Sequence, residues 1–177
     1  MLSSELERAQ SLIVSIPDYP QPGIIFRDIM PLLADADAFR AITAEMLRPF
    51  AGQFDVVAGV EARGFLFAGA AAAFSGAGLA PIRKVGKLPR PAASVEYTLE
   101  YGTATIEMHA DLPRGTRVLL LDDVLATGGT LLAAQQLISE IGCELVGTSV
   151  LVELENLGGA ELLRRSGDAP LHRVFSY

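Results

Sequence analysis

Apolar residues in the first stretch recur at helical spacing. Leu6, Ala9, Leu12, Ile13 and Ile16 share one face of LERAQSLIVSI, with Ser3 or Ser4 ahead of them as N-cap, so the pattern predicts a helix over 6–16. PDYPQPG, with three prolines and a glycine, ends it, because proline lacks an amide donor and clashes with the preceding turn. GIIFRDIMPLL follows as a short extended or looped piece. ADADAFRAITAEMLRPF then returns to the helical period, with an aspartate cap and a stripe of Phe39, Ile42, Met46 and Leu47.

Beyond residue 54 the pattern changes. DVVAGV, APIRKVG, RVLLLDD and CELVGTSVLVEL are apolar runs of strand length, and GFLFAGAAAAFSG and GTLLAAQQLISEIG have helical character. Near-continuous apolar strands alternating with helices describe an α/β fold: an open, mostly parallel sheet with helices on both faces. The small residues of GFLFAGAAAAFSG suit a helix lying close against that sheet. One segment breaks the rhythm. In SVEYTLEYGTATIEMHAD, Val95, Tyr97, Leu99 and Tyr101 alternate with Glu96, Thr98 and Glu100 around Gly102 and Thr103, the signature of a two-stranded antiparallel β-ribbon. A ribbon inserted at about 85–110 would act as a flap or hood. The expectation is a single domain, 1–177, carrying that insertion.

Composition narrows the partners. The net charge of -7 argues against nucleic acid, whose phosphates are held by basic surfaces, yet leaves room for a small phosphorylated ligand bound by a local cluster of cations. No apolar run approaches the roughly 20 residues needed to cross a bilayer, and MLSSELERAQ is too charged to begin a signal peptide, so no membrane association and a cytoplasmic location are expected. Cys143 is the one cysteine and reads as a small buried hydrophobe. His109 and His172 sit in ordinary contexts, and two histidines without a cysteine cluster argue against structural zinc.

The chemistry concentrates in VLLLDDVLATGGT, residues 118–130. An apolar strand runs into Asp122 and Asp123, and Thr127, Gly128, Gly129 and Thr130 follow just where a helix begins. Open parallel sheets bind ligands beyond the carboxyl ends of their strands. Glycines let successive amides turn inward, and a helix start adds unpaired donors, which together suit a phosphate. The carboxylates would repel that phosphate but accept hydrogen bonds from a sugar diol. Phosphate and diol together describe a ribose 5-phosphate; the competing reading is two acids capping the next helix.

The same stretch resembles the phosphoribosyl-pyrophosphate signature of the type I phosphoribosyltransferases. DYPQPGIIFRDIMPLL, GVEARGFLFAGA, IRKVGKLP and LEYGTATIEMH match the adenine-using branch of that family in the same order, from about Ile16 to about Leu154. The resemblance implies a type I phosphoribosyltransferase-like fold and a homodimer, with the helix near Gly64 in its contact. It implies purine salvage, in which adenine and phosphoribosyl pyrophosphate give AMP and pyrophosphate. Mg2+ would be held mainly by phosphoribosyl pyrophosphate and water, with no protein metal ligand.

Residue roles follow from the resemblance too. Backbone groups of Ile25 and Arg27 would bond the base edge, with Phe26 on one ring face and Leu125 on the other. Arg63, Arg83, Lys84 and Lys87 would hold pyrophosphate, Arg83 reaching toward a partner subunit, and the Glu61–Ala62 peptide is expected to be cis. Arg90 stands where the family usually carries glycine. Asp122 and Asp123 would hold the ribose, and Ala126, Thr127, Gly128, Gly129 and Thr130 its phosphate. Glu100 would close over the base, as general acid–base or to position the purine. The implied catalytic set is Glu100, Arg63, Asp122 and Asp123. Two alternatives stay open: a non-catalytic sensor of phosphoribosyl pyrophosphate, and a transferase for another purine such as xanthine or guanine.

Overall fold

Ser3 starts the first helix: its hydroxyl accepts from the Leu6 amide at 3.3 Å, and α1 runs Ser4–Ser11. It stops short of the predicted Ile16. Val14 and Ile16 are β-branched, and Pro17 pushes the residue before it into extended backbone. VSIP therefore forms strand β1 (Val14–Pro17), antiparallel to β2 (Ile25–Asp28), with Ile16 opposite Phe26 and Ser15 opposite Arg27. The GIIFRD piece is thus one arm of a hairpin. The structure is a computed structural model that describes residues 3–98, 102–109 and 111–177, and it divides into two compact units, Met1–Glu45 and Met46–Tyr177.

In the first unit the hairpin loop is tied by the Asp18 carboxylate, which accepts from the Gly23 amide at 2.7 Å. The rings of Tyr19 and Phe26 meet edge to face, centroids 5.3 Å apart. Helix α2 (Met30–Ala34) leads into α3, Ala36–Leu47. The aspartate cap expected for α3 is Asp35, whose Oδ1 accepts from the Ala38 amide at 2.9 Å. That amide, together with the Arg8 guanidinium, holds the Asp35 carboxyl below its ordinary range.

The second unit holds a sheet built from the apolar runs. Strands β3 (Val56–Val60), β4 (Gly78–Lys84), β7 (Arg117–Leu125), β8 (Glu144–Glu153) and β9 (Leu171–Ser176) are parallel, in the spatial order β4-β3-β7-β8-β9. Every residue of β3 is buried, as are most of β7 and β8, because helices flank the sheet. Helix α4 (Gly64–Ser75) lies so close to β3 that a Cβ on Gly59 would stand 2.5 Å from that of Ala68. This is the physical reason for its small residues. Helices α5 (Gly129–Glu140) and α6 (Gly159–Ser166) complete the set.

Two features differ from the pattern read in the sequence. The ribbon exists, as β5 (Ala93–Thr98) against β6 (Thr103–Met108), but β6 also pairs with the end of β4, Arg83 opposite Glu107 and Lys84 opposite Ile106. The ribbon therefore continues the main sheet at its edge, and the foot of β6 is buried. Strand β7 runs past Asp123 to Leu125, since Val124 and Leu125 still pair with Val152 and Glu153 of β8. Among the described residues no helix is long and apolar enough to cross a membrane.

Candidate active site

Three neighbouring strands of the second unit, β4, β3 and β7, deliver the charged side chains at their carboxyl ends. After β3 the chain turns through a cis Glu61–Ala62 peptide and enters α4 with Arg63 as its N-terminal flank. A Cβ on Gly64 would lie 2.8 Å from Asp122 Oδ1 and 3.1 Å from the Leu121 carbonyl, so the start of α4 is seated directly on β7. Arg63 Nε thereby reaches Asp123 Oδ2 at 2.7 Å. Glu61, two residues before Arg63, does not pair with it; its carboxylate accepts from the Lys84 amide at 2.9 Å and lies 3.5 Å from Arg83 Nε. The loops after β3 and β4 and the end of β7 are joined by charge.

Asp122 and Asp123 are 8 % and 7 % exposed. They are linked by the Asp123 amide, which donates to Asp122 Oδ1 at 2.9 Å. Burial pushes the Asp122 carboxyl well above its ordinary range, and the adjacent Asp123 charge pushes it further. Burial also raises Asp123, while Arg63 opposes that rise. Asp122 is therefore the member that keeps its proton longer. The folded chain binds this proton more tightly than the unfolded chain, whose aspartates titrate at about 3.9. Stability contributed by the protonated form is complete below that value and is lost as pH climbs toward the raised folded value. Replacing Asp122 by asparagine, which keeps an acceptor for the Asp123 amide, should flatten this slope and raise the melting temperature of the ligand-free protein at neutral pH by a few degrees. Thermal melts between pH 5 and 8 measure it; an unchanged slope would refute the assignment.

The expected phosphate loop follows β7. Gly128 has φ +87°, in the left-handed region, and it precedes α5, which has no side-chain cap. The first amides of that helix lie beyond the reach of intrahelical acceptors. Thr127, Gly129 and Thr130 are partly exposed, as is Ala126, whereas Leu125 is fully buried in the core beneath the loop. Ile25, Phe26 and Arg27 lie on β2 of the first unit, Ile25 exposed and Phe26 half-buried. Arg27 donates to the Ser15 hydroxyl across the hairpin. Lys87 closes the turn after β4, its amide 3.2 Å from the Lys84 carbonyl. Arg90 lies 3.9 Å from Asp111, both on the surface. Glu100 lies outside the described residues.

One acid was overlooked in the sequence. Glu107, 6 % exposed, accepts from the Gly86 amide at 3.1 Å. The alternation of TATIEMH marked it as a polar position, but the pairing of β6 with β4 that buries it is long-range.

The chain matches the phosphoribosyl transferase domain family over residues 29–166. It is 55 % identical over 158 residues to the adenine phosphoribosyltransferase of Renibacterium salmoninarum, covering 89 % of this chain and 87 % of the relative. The crystal structure of the Rhodothermus marinus adenine phosphoribosyltransferase superposes with a TM-score of 0.91 at 42 % identity, over 99 % of this chain and 100 % of that one. The Saccharomyces cerevisiae enzyme, complexed with adenine and an imino-altritol bisphosphate, superposes with a TM-score of 0.89 at 30 % identity, over 98 % and 99 %. With acids, arginine and glycine loop disposed as described and likeness of this extent over nearly the whole length, the chain belongs to the adenine phosphoribosyltransferase family.

Proposed function

We propose that the chain transfers the phosphoribosyl group of phosphoribosyl pyrophosphate to adenine, giving AMP and pyrophosphate. The observation that carries this reading is the buried Asp122–Asp123 pair, bound to Arg63 on one side and one short loop from the open N-terminus of α5 on the other. The first amides of α5, with Thr127, Gly128, Gly129 and Thr130, take the 5-phosphate, and the two carboxylates take the ribose hydroxyls. With both ends of the sugar held, the bond from C1 to pyrophosphate lengthens and the carbon becomes cation-like. A ring nitrogen of adenine then forms the new bond from the opposite face and passes its proton to the Glu100 carboxylate, and the C1–O electrons leave with pyrophosphate. Arg63, Lys84 and Lys87, with Arg83 behind them, neutralise the departing charge. Ile25, Phe26 and Arg27 are assigned to the base. Residues 85–110 act as the flap that keeps water from the cation, with Glu100 as its acid, and the whole chain works as one transferase domain in the cytoplasm.

Mg2+ fits this site as a passenger of the substrate. Among the described residues no group of three or more His, Cys, Asp or Glu forms a cage. Asp123 is engaged by Arg63, and Asp122 is buried beside it. Hard cations of this kind commonly keep their waters and bind through phosphate oxygens. Bound in that way, Mg2+ would supply charge neutralisation on pyrophosphate. Incubating the protein with Mg2+, phosphoribosyl pyrophosphate and each purine separately tests the reading. AMP from adenine alone supports it, turnover of guanine or xanthine favours a different purine, and binding without turnover favours a sensor.

A homodimer belongs to the same proposal. Leu66 and Phe74 of α4 and Leu79 of β4 are each about half exposed, and α4 is the helix that the resemblance gives to the dimer contact. A second copy of the chain would cover these side chains. Replacing Phe74 with glutamate should convert a dimer to a monomer in multi-angle light scattering, and a monomeric unsubstituted chain would overturn the assignment.

A further inference from the structure

In the turn that follows β4 every backbone amide from Lys84 to Lys87 already has an acceptor. The Lys84 amide donates to Glu61 Oε2 at 2.9 Å, Val85 to the Thr105 carbonyl at 3.0 Å, Gly86 to Glu107 Oε2 at 3.1 Å, and Lys87 to the Lys84 carbonyl at 3.2 Å. Arg83 is tied into the same turn, its Nη1 donating to the Lys87 carbonyl at 3.1 Å. The contrast with the loop before α5 is chemical. That loop leads into free helix amides, whereas this turn has no amide left to offer and can meet an anion only through its side chains.

Two of the acceptors are carboxylates, which is unexpected beside a site for a highly charged anion, because each opposes binding by simple Coulomb repulsion. Glu107 is nearly buried and comes from β6, where it is the cross-strand partner of Arg83. Glu61 comes from the loop after β3, and the Lys84 amide, with Arg83 behind it, holds its carboxyl below the ordinary range. Charge-assisted acceptors bind an amide about twice as strongly as a neutral carbonyl does. What they supply is rigidity. Lysine side chains lose rotamer freedom when they close on an anion, and a backbone already fixed reduces what remains to be ordered.

We infer that Glu107, together with Glu61, is a positioning residue for the pyrophosphate-holding turn: by occupying the Gly86 and Lys84 amides, the two carboxylates fix the backbone from which Lys84 and Lys87 reach. This rests on the reading of that turn as the pyrophosphate site. The fixed turn is also joined to the stem of the ribbon, since Glu107 and Thr105 both belong to β6.

Calorimetric titration of the full chain with magnesium pyrophosphate and, separately, ribose 5-phosphate tests the inference, alongside steady-state kinetics. Glu107→Ala should weaken pyrophosphate binding, and raise KM for phosphoribosyl pyrophosphate, by about tenfold. KM for adenine and the ribose 5-phosphate affinity should stay within about twofold. Glu107→Gln, which keeps an acceptor oxygen, should recover most of the loss, a rescue that a purely electrostatic role would not give. Glu61→Ala should move the same parameters in the same direction, and it carries the comparison if Glu107→Ala does not fold. Unchanged pyrophosphate affinity in the folded variants, or equal weakening of both ligands, would overturn the proposal. A Lys84→Ala/Lys87→Ala protein that binds pyrophosphate like the unsubstituted chain would instead sink the site assignment, and the proposal with it.

Discussion

Replacing Asp123 with asparagine should lower kcat/KM for phosphoribosyl pyrophosphate by about two to three orders of magnitude, the scale found when a single preorganised partner of a reacting group is removed, and leave the fold intact. The carboxylate does two things that an amide cannot. It neutralises Arg63 across 2.7 Å, and it would accept hydrogen bonds from ribose hydroxyls as an ion. An asparagine side chain has nearly the same volume and presents an NH2 group to either the guanidinium or the diol, so one of them meets a donor where it needs an acceptor. Stability should hold or rise, because burial disfavours the ionised carboxylate that is removed and the loss of the Arg63 pair works the other way. Arg63→Ala and Asp123→Asn together should cost less than the sum of the two, since each already breaks the same ion pair. Purified variants compared by initial rate and by thermal melt decide the matter. Undiminished activity in folded Asp123→Asn protein would remove the ribose from this pair.

How much of this could be read in the sequence depends on the range of the interaction. Local signals were legible. The apolar runs of β3, β7 and β8 announced a buried parallel sheet, Asp35 announced the start of α3, and TGGT announced a turn into α5. Ile16 also fitted a helical period, and only pairing with Ile25–Asp28, across a proline-rich loop, settles Val14–Pro17 as a strand. Helix α6 and strand β9 escaped notice because α6 is short and dense in charge and LHRVFS carries little alternation. At the site, the acids and the glycine loop were visible as residue types, but their pairing was not. Nothing in EARGF says that Arg63 reaches Asp123 instead of Glu61; that follows from β3 lying beside β7 and from Gly64 admitting close contact with Asp122. Glu107 was invisible for the same reason, its burial coming from pairing with Arg83, 24 residues earlier in the chain.

Substituting alanine for Gly128 should abolish most ribose 5-phosphate binding while the sheet stays folded. Two independent penalties fall on this residue. Its φ of +87° lies in the left-handed region, where a side chain costs about 1–2 kcal/mol. A Cβ there would also stand 2.9 Å from the Gly159 carbonyl oxygen and 3.1 Å from its Cα, backbone atoms that cannot swing aside. The loop must shift away from the start of α6, and with it the first amides of α5 lose their aim. Losing two charge-assisted amide bonds of about 1.5 kcal/mol each corresponds to roughly a hundredfold weaker binding. Gly158 supplies the control. Its φ is +72°, yet a Cβ there would meet nothing within 4 Å, so Gly158→Ala carries the backbone strain without the clash. Both variants should melt earlier than the unsubstituted chain, but only Gly128→Ala should lose the phosphate. Equal affinities in the two, measured by calorimetry at one pH and ionic strength, would mean that the phosphate is held elsewhere. Weaker binding confined to Gly128→Ala would instead tie the anion to the amides that follow it.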